Sequence, residues 1–220
     1  SQILFANTYI KKRFWKKEDG TNYAIRNVVF MGMGEPLLNY ENIRKSLEIM
    51  LAQDRLSLGR RHITISTCGI IPWIEKLIED KVDVKLAISL HAPNQELRNQ
   101  IMPIAKAYPL EELMKTIDRY VKATDNRIFY EYIMIHGVTD KPELAHQLVK
   151  LLKGRLAHLN LIPYNENPAI DLKESKKADI QKFKQILEEG GVTVTVRDSM
   201  GREAKGACGQ LGYEKVKDQN

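Results

Sequence analysis

Short apolar segments alternate with amphipathic segments along almost the whole chain, and this alternation restricts the possible fold more than any other feature. An apolar run at 28–31 precedes a segment whose apolar residues recur at helical spacing, and the pattern returns about five times before a last strand near 192–197. Strands joined through helices usually pair in parallel, so the sequence predicts a mostly parallel sheet with outer helices. With 220 residues, 43% of them hydrophobic, the chain can form such a core.

Two architectures fit this alternation: a doubly wound open sheet, and a closed or partly closed barrel. No GxGxxG fingerprint follows a predicted strand, which disfavours the dinucleotide-binding open sheet. One face of the predicted strands at 61–67 and 82–91 carries small or polar residues, namely Thr64, Ser66, Ala87, Ser89 and His91. A polar inner face suits a barrel lined by a ligand site, so the sequence favours the barrel.

Charge, cysteine content and hydropathy narrow the class of protein. The net charge of +6 is compatible with a nucleic-acid partner but does not require one. The two cysteines, Cys68 and Cys208, are far apart, which indicates a reducing compartment and no disulfide framework. No run is long enough to span a bilayer and no signal pattern opens the chain, so we predict a cytoplasmic protein with no membrane partner.

Polar or glycine-containing segments follow several of the predicted strands. They are Gly32–Pro36, Ser66–Thr67, Ser89–His91 and Asn165. The carboxyl ends of parallel strands meet at one edge of a sheet, so we expect these segments to converge there. Together they could hold an amino acid or a ribose, with Glu35 and carbonyls for an ammonium group and Asn165 as both donor and acceptor.

Each of these residues also has an ordinary structural explanation. Ser66 can satisfy backbone groups at a strand end, His91 can be a structural histidine, and Asn165 can be a turn residue after Pro163. A coincidence of all the segments at one edge is much less plausible than any single explanation.

The two cysteines differ in their sequence surroundings. Cys208 is flanked by small residues in a predicted loop, where it can act as a nucleophile once deprotonated, or can equally be a small buried side chain. Cys68 follows a strand end with no base nearby in sequence, so we interpret it as a packing residue.

Five motifs occur in a fixed order along the chain. They are Gly32-Met33-Gly34-Glu35-Pro36-Leu37-Leu38-Asn39, Ser66-Thr67, Ser89-Leu90-His91-Ala92-Pro93, Asn160-Leu161-Ile162-Pro163-Tyr164-Asn165 and Ala207-Cys208-Gly209-Gln210-Leu211. With them the chain resembles the radical S-adenosylmethionine (SAM) methyltransferases that methylate carbon 2 of an adenine in large-subunit ribosomal RNA and in some transfer RNAs. A related branch methylates carbon 8 of the same adenine, and the Gly-Glu-Pro-Leu-Leu-Asn form looks more like the carbon-2 branch.

The resemblance implies the fold and its division. We expect an α/β fold, an incomplete radical-SAM (β/α)6-type partial barrel with a mostly parallel sheet and outer helices. Residues 1–199 would form the radical SAM core, and residues 200–220 a carboxyl-terminal tail with the cysteine loop.

The resemblance also implies roles for individual residues. Gly34 and Glu35 would contact the amino end of SAM, and the rest of its site would be lined by Ser66, Ser89, Leu90, His91 and Asn165. Cys208 would take a methyl group from one SAM. A second SAM, cleaved at a 4Fe-4S cluster, would give a 5′-deoxyadenosyl radical that removes hydrogen from this methyl group, and the carbon radical would add to the adenine.

The same resemblance implies partners, and it shows what this chain lacks. The partners would be 23S rRNA, with tRNA as a further candidate, and an electron donor such as flavodoxin for the full-length enzyme. The family's cluster cysteines in a CxxxCxxC loop, its other catalytic cysteine and its amino-terminal RNA-binding domain are absent here. We therefore expect the chain to be the carboxyl-terminal part of the enzyme, and expect it alone to bind no cluster and to be inactive.

Two other functions remain open at this point. A metal-dependent hydrolase or lyase on an α/β barrel would use His91, His136 and Glu131 as ligands, although Glu131 is predicted to lie in mid-strand. A non-catalytic RNA-binding module is the third possibility, without an RRM-type or KH-type signature to support it.

Overall fold

Six parallel strands pair side by side in the order in which they occur along the chain. They are β1 Val28–Phe30, β2 Ile63–Thr67, β3 Lys85–Ser89, β4 Ile128–Met134, β5 Ala157–Pro163 and β6 Val194–Val196. The structure is a computed structural model that describes residues 9, 25–31, 34–166 and 170–197. The predicted tail at 200–220, including Cys208, lies outside the described residues.

Helices connect each pair of successive strands. They are α1 Tyr40–Leu51, α2 Ile71–Glu79, α3 Gln95–Ile101, α4 Leu110–Thr124, α5 Pro142–Leu152 and α6 Lys177–Glu189, with short 3₁₀ turns at Pro36–Asn39, Arg60–His62 and Pro103–Lys106. Among the helices described, none combines the length and apolarity that crossing a bilayer requires.

The strand order distinguishes between the two predicted architectures. A doubly wound sheet reverses its strand order at one point and therefore carries helices on both faces. Here the order from β1 to β6 never reverses, and because such crossovers are right-handed, the connecting helices fall on one face. In agreement, α2 packs against α4, and α5 against α6. The partial barrel with a mostly parallel sheet is confirmed, and the doubly wound alternative is wrong.

The two faces of the sheet have different surroundings. On β2, Ile63 and Ile65 are fully buried in the core shared with the helices, whereas Thr64 and Ser66 on the other face are only half-buried. The stacked rings of Tyr132 on β4 and Phe183 on α6, 5.4 Å apart, show how closely the helices cover the first face. The second face, which the described helices do not cover, is available for a ligand site.

The first helix begins without a side-chain cap. Asn39 precedes α1 and is a residue type that often caps helices, but its side chain makes no capping hydrogen bond to α1. Instead a 3₁₀ turn precedes α1, and the carboxylate of Glu35 caps that turn by accepting a hydrogen bond from the amide of Leu37. The loop after β1 is therefore held by an acidic side chain at its centre.

Candidate functional site

Glu35 joins the ends of the first two strands. Its Oε1 accepts a hydrogen bond from the Leu37 amide at 3.1 Å, and its Oε2 accepts one from the Cys68 amide at 2.8 Å. Each carboxylate oxygen still has a lone pair for another donor. Gly34 beside it has a φ of 98°, and no atom lies within 4 Å of where its Cβ would be. A ligand with an ammonium group could therefore approach both the backbone and the carboxylate.

The turn after β2 holds Cys68 in place. Thr67 is buried, and its hydroxyl accepts a hydrogen bond from the Gly69 amide at 3.1 Å. Gly69 has a φ of 96°, and a Cβ there would lie 2.8 Å from Cδ2 of Leu113. Burial, followed by the hydrogen bond with Glu35 and its negative charge, raises the pKa of the Cys68 thiol to about 12. Cys68 therefore stays protonated near neutral pH, in agreement with its interpretation as a packing residue.

Ser66 and Ser89 lie on the open face of the sheet, where both are half-buried. Ser66 is opposite Ala87 in the strand register, and Ser89 is opposite Glu131. Leu90 differs, because its side chain is fully buried in the core. Only the backbone of Leu90 can face a ligand.

The chain turns sharply after β3. The amides of Leu90 and His91 both donate to the carbonyl of Glu131, at 3.0 and 3.1 Å, and the Ala92 amide donates to the carbonyl of Leu90 at 2.7 Å. His91 adopts a φ of 55°, in the left-handed region that few residues other than glycine occupy. The backbone thus directs His91 away from the path of the strand.

The imidazole of His91 is fixed in one neutral form. Its Nδ1 lies 3.2 Å from the Ile133 amide, and because a backbone N–H only donates, Nδ1 is the acceptor. Burial, and then the positive charge of Arg98, lower the pKa of His91 to about 4. The ring therefore carries its hydrogen on Nε2, which remains a donor.

The predicted site residues of the described chain lie along one edge of the sheet. Glu35 follows β1, Ser66 and Ser89 lie near the ends of β2 and β3, and His91 follows β3. Asn165 follows β5 by two residues and is 7% exposed. Because the strands are parallel and neighbours in order, these ends share the carboxyl-terminal edge.

A hydrogen-bonded polar row on the open face was not predicted from the sequence, where Glu131 was only a candidate metal ligand. The Glu131 carboxylate, 4% exposed, accepts a hydrogen bond at Oε1 from Asn160 Nδ2 at 3.0 Å, and Asn160 Oδ1 accepts one from Thr195 at 2.7 Å. Arg197 Nη1 lies 3.7 Å from Glu131 Oε2. The sequence feature that could have indicated this row is a charged residue, Glu131, at an inward-facing position of β4, between Phe129 and Ile133 on the same face.

The metal-site hypothesis is not favoured by the geometry. It required His91, His136 and Glu131 to converge, but in the part of the chain that the structure describes, the group that brings three such ligand atoms together is His136, Asp140 and Asp179. Nδ1 of His91 is already occupied by the Ile133 amide. The predicted set of metal ligands is therefore not assembled.

Comparisons with known proteins agree with this fold and identify the family. The profile of the Radical SAM superfamily matches residues 17–149, more than half of the chain. The chain is 50% identical over 194 residues to the "Probable dual-specificity RNA methyltransferase RlmN" of Thermoanaerobacter sp. (strain X514), a match that covers 88% of this chain and 57% of that protein. It is 46% identical over 219 residues to the protein of the same name in Clostridium botulinum (strain Alaska E43 / Type E3), covering 100% of this chain and 60% of that protein.

Solved structures give the same result. A crystal structure of a radical SAM methyltransferase from Sphaerobacter thermophilus superposes with a TM-score of 0.86 at 39% identity, covering 95% of this chain and 59% of that one. A domain of pyruvate-formate lyase-activating enzyme from Bacteroides vulgatus ATCC 8482 superposes with a TM-score of 0.61 at 20% identity, covering 78% of this chain and 99% of that one, and supports the fold alone. The chain spans less than two thirds of the length of the methyltransferases it matches.

Proposed function

The chain belongs to the radical SAM superfamily, and from this premise we propose that it is the SAM-binding part of an enzyme that methylates carbon 2 of an adenine in 23S rRNA, with tRNA as a second substrate. The printed names of its relatives, dual-specificity RNA methyltransferases, support an RNA substrate. The position of the motif residues along one edge of the sheet supports a single binding site for SAM.

The arrangement around Glu35 carries the proposal. The amino end of SAM would lie against Gly34 and the Glu35 carboxylate, whose position is fixed by two backbone amides before any ligand binds. The neutral His91 would donate from Nε2 without adding a second positive charge beside the sulfonium. Ser66, Ser89, the Leu90 backbone and Asn165 would line the remainder of the site.

The residues of this chain fit SAM but not an iron–sulfur cluster. A 4Fe-4S cluster is held by cysteine thiolates, and the chain has two cysteines, of which Cys68 stays protonated beside Glu35. We therefore assign no chemical step of this chain to a cluster. The cluster ligands would be supplied by the remainder of the full-length enzyme, and the electrons by a separate donor such as flavodoxin.

Cys208 would carry the methyl group. Its thiolate would attack the methyl carbon of SAM, forming an S–CH₃ bond while the C–S bond of the sulfonium breaks and S-adenosylhomocysteine leaves. Such a carrier is needed because carbon 2 of adenine is electron-poor, so it cannot attack the methyl group of SAM directly. Cys68 is a poor candidate for this role, since its pKa is raised to about 12.

Mass spectrometry of the full-length enzyme containing this chain tests the proposal. After incubation with SAM, we expect one added methyl group on the peptide that contains Cys208, while the peptide that contains Cys68 serves as the control within the same protein. Replacing Cys208 with Ala should abolish adenine methylation. A methylated Cys68, or methylation of RNA by the Cys208→Ala enzyme, would contradict the assignment.

A further inference from the structure

Arg98 on α3 is a buried cation with few partners. Its side chain is 0% exposed, and no carboxylate of the described chain forms a salt bridge with it. Nη2 donates to the Cys68 carbonyl at 2.8 Å and Nη1 to the Tyr108 carbonyl at 3.4 Å, whereas Nε has no hydrogen-bond partner among the described residues. Burying a charge with incomplete hydrogen bonding is unfavourable. A methionine would fill this space at lower cost, so the charge itself calls for an explanation.

The partners of Arg98 lead directly to the proposed SAM site. Cys68 is held on both sides: its carbonyl accepts from Arg98, and its amide donates to Oε2 of Glu35 at 2.8 Å. The chain on either side of Cys68 is constrained by the Thr67–Gly69 hydrogen bond. A displacement of the Cys68 carbonyl would therefore move the amide that orients Glu35.

The charge of Arg98 also acts on His91, on the neighbouring strand end. Together with burial it lowers the pKa of this histidine. The Arg98 guanidinium thus influences two residues of the proposed site, Glu35 through Cys68 and His91 through its charge. Because Arg98 is fully buried, it acts on a ligand only through other residues.

We propose that Arg98 is a positioning residue for the amino-acid end of SAM, which fixes the Glu35 carboxylate through the backbone of Cys68. This inference rests on the proposed function, because it assigns Glu35 to the ammonium group of SAM. Arg98 lies outside the strand-end motifs, and the amino-acid end of SAM is the part of the ligand whose binding would depend on it.

A comparison of two ligands tests the proposal. SAM and 5′-methylthioadenosine share the adenosine and its sulfur, but only SAM has the amino-acid end. In the full-length enzyme, Arg98→Met should weaken SAM binding by about tenfold or more and change 5′-methylthioadenosine binding by less than about twofold, as measured by calorimetry. Arg98→Lys, which keeps a donor for the Cys68 carbonyl, should recover part of the loss, and Glu35→Gln should give the same selective loss.

Tyr120→Phe is the control for a general loss of stability, since Tyr120 on α4 is equally buried but its hydroxyl contacts Val84, just before the amino end of β3. We expect this variant to bind both ligands like the wild type. If Arg98→Met weakens both ligands equally, Arg98 acts only on overall stability and the proposal is wrong.

Hydrogen exchange at the Cys68 amide provides a readout that needs no ligand. Arg98→Met should speed exchange at this amide more than at amides of the β4 core, and Tyr120→Phe should not. If the wild-type enzyme failed to bind SAM, the proposed function would fail, whereas the exchange rate would still decide whether Arg98 orders Cys68. Unchanged exchange at Cys68 would overturn the proposal.

Discussion

Glu35 and Cys68 are neighbours with opposite roles. Both oxygens of Glu35 accept from backbone amides, so the carboxylate is oriented before a ligand arrives. The same carboxylate helps to keep the Cys68 thiol protonated. A fixed acidic acceptor suits the binding of a cationic ligand, and the thiol beside it stays protonated and therefore weakly nucleophilic.

His91 should make the stability of the protein depend on pH. Its pKa is lowered from 6.5 to about 4 in the folded protein, so between these values the unfolded chain binds a proton that the native chain does not. The contribution of the neutral His91 to the free energy of unfolding is therefore fully present above pH 6.5 and is lost as the pH falls towards 4. We expect His91 to account for a loss of about 2 kcal/mol in the free energy of unfolding between pH 7 and pH 5.

Urea denaturation of the wild type and of His91→Asn at both pH values measures this contribution. Asparagine tolerates the positive φ at this position and does not titrate. The carboxylates that the two proteins share titrate in both, so their effect on stability cancels when the free energies of unfolding are subtracted. Parallel pH profiles for the wild type and the variant would show that the folded-state pKa of His91 is not lowered.

At the scale of elements, helix α4 is anchored to the sheet by a buried phenol. The Tyr120 hydroxyl donates to the Val84 carbonyl at 2.6 Å and accepts from the Val84 amide at 3.3 Å, just before β3 begins. Burial raises the pKa of Tyr120, which keeps the hydroxyl protonated and able to donate. This contact fixes the amino end of β3, at the opposite end of the strand from the proposed site.

Removing this hydroxyl should destabilise the fold. We expect Tyr120→Phe to lower the free energy of unfolding by about 1–2 kcal/mol, because it leaves the buried Val84 amide without a partner. Tyr130→Phe is the matched control, since Tyr130 is 1% exposed and no hydrogen bond of its hydroxyl occurs among the described residues. Urea denaturation measures both, and an equal loss in the two variants would refute the role of the Tyr120 contact.

At the scale of the whole molecule, the six strands that the structure describes form an open sheet. Among them β1 and β6 are the two outer strands, and the described site residues lie along the carboxyl-terminal edge between them. The chain spans 57% and 60% of the two curated relatives compared with it. Under the proposed function this sheet would supply a SAM-binding surface, whereas the two cysteines of this chain cannot supply the ligands of a 4Fe-4S cluster.

Iron analysis tests whether this chain alone can hold a 4Fe-4S cluster. After anaerobic reconstitution with iron and sulfide, the 220-residue chain should retain only background iron, because two cysteines cannot supply the ligand set of a 4Fe-4S cluster. A full-length radical SAM methyltransferase that contains a CxxxCxxC loop is the positive control under the same conditions. Stoichiometric iron in the chain alone would contradict the prediction.

Much of the fold and of the candidate site was predictable from local patterns. The alternation in β2 and β3 has a period of two, so it assigned Ser66 and Ser89 to one face and Leu90 to the other. Local pattern was not sufficient for the start of the first helix: Asn39 has the residue type and position of a cap but makes no capping hydrogen bond, and the side chain that does cap, Glu35, caps the 3₁₀ turn before the helix. Arg98 carried no signal, since an arginine in a short helix is usually exposed.

Residue order along the chain was sufficient to establish the parallel sheet, the set of strand-end residues and the family to which the motifs belong. These features depend on spacing, which local propensity and the pleat of a strand translate directly into structure. The tertiary structure alone showed that the sheet is singly wound, that the Cys68 amide donates a hydrogen bond to Glu35, and that Arg98 donates one to the Cys68 carbonyl. Such contacts join segments that are 30 or more residues apart, and their geometry depends on how helices and strands pack together.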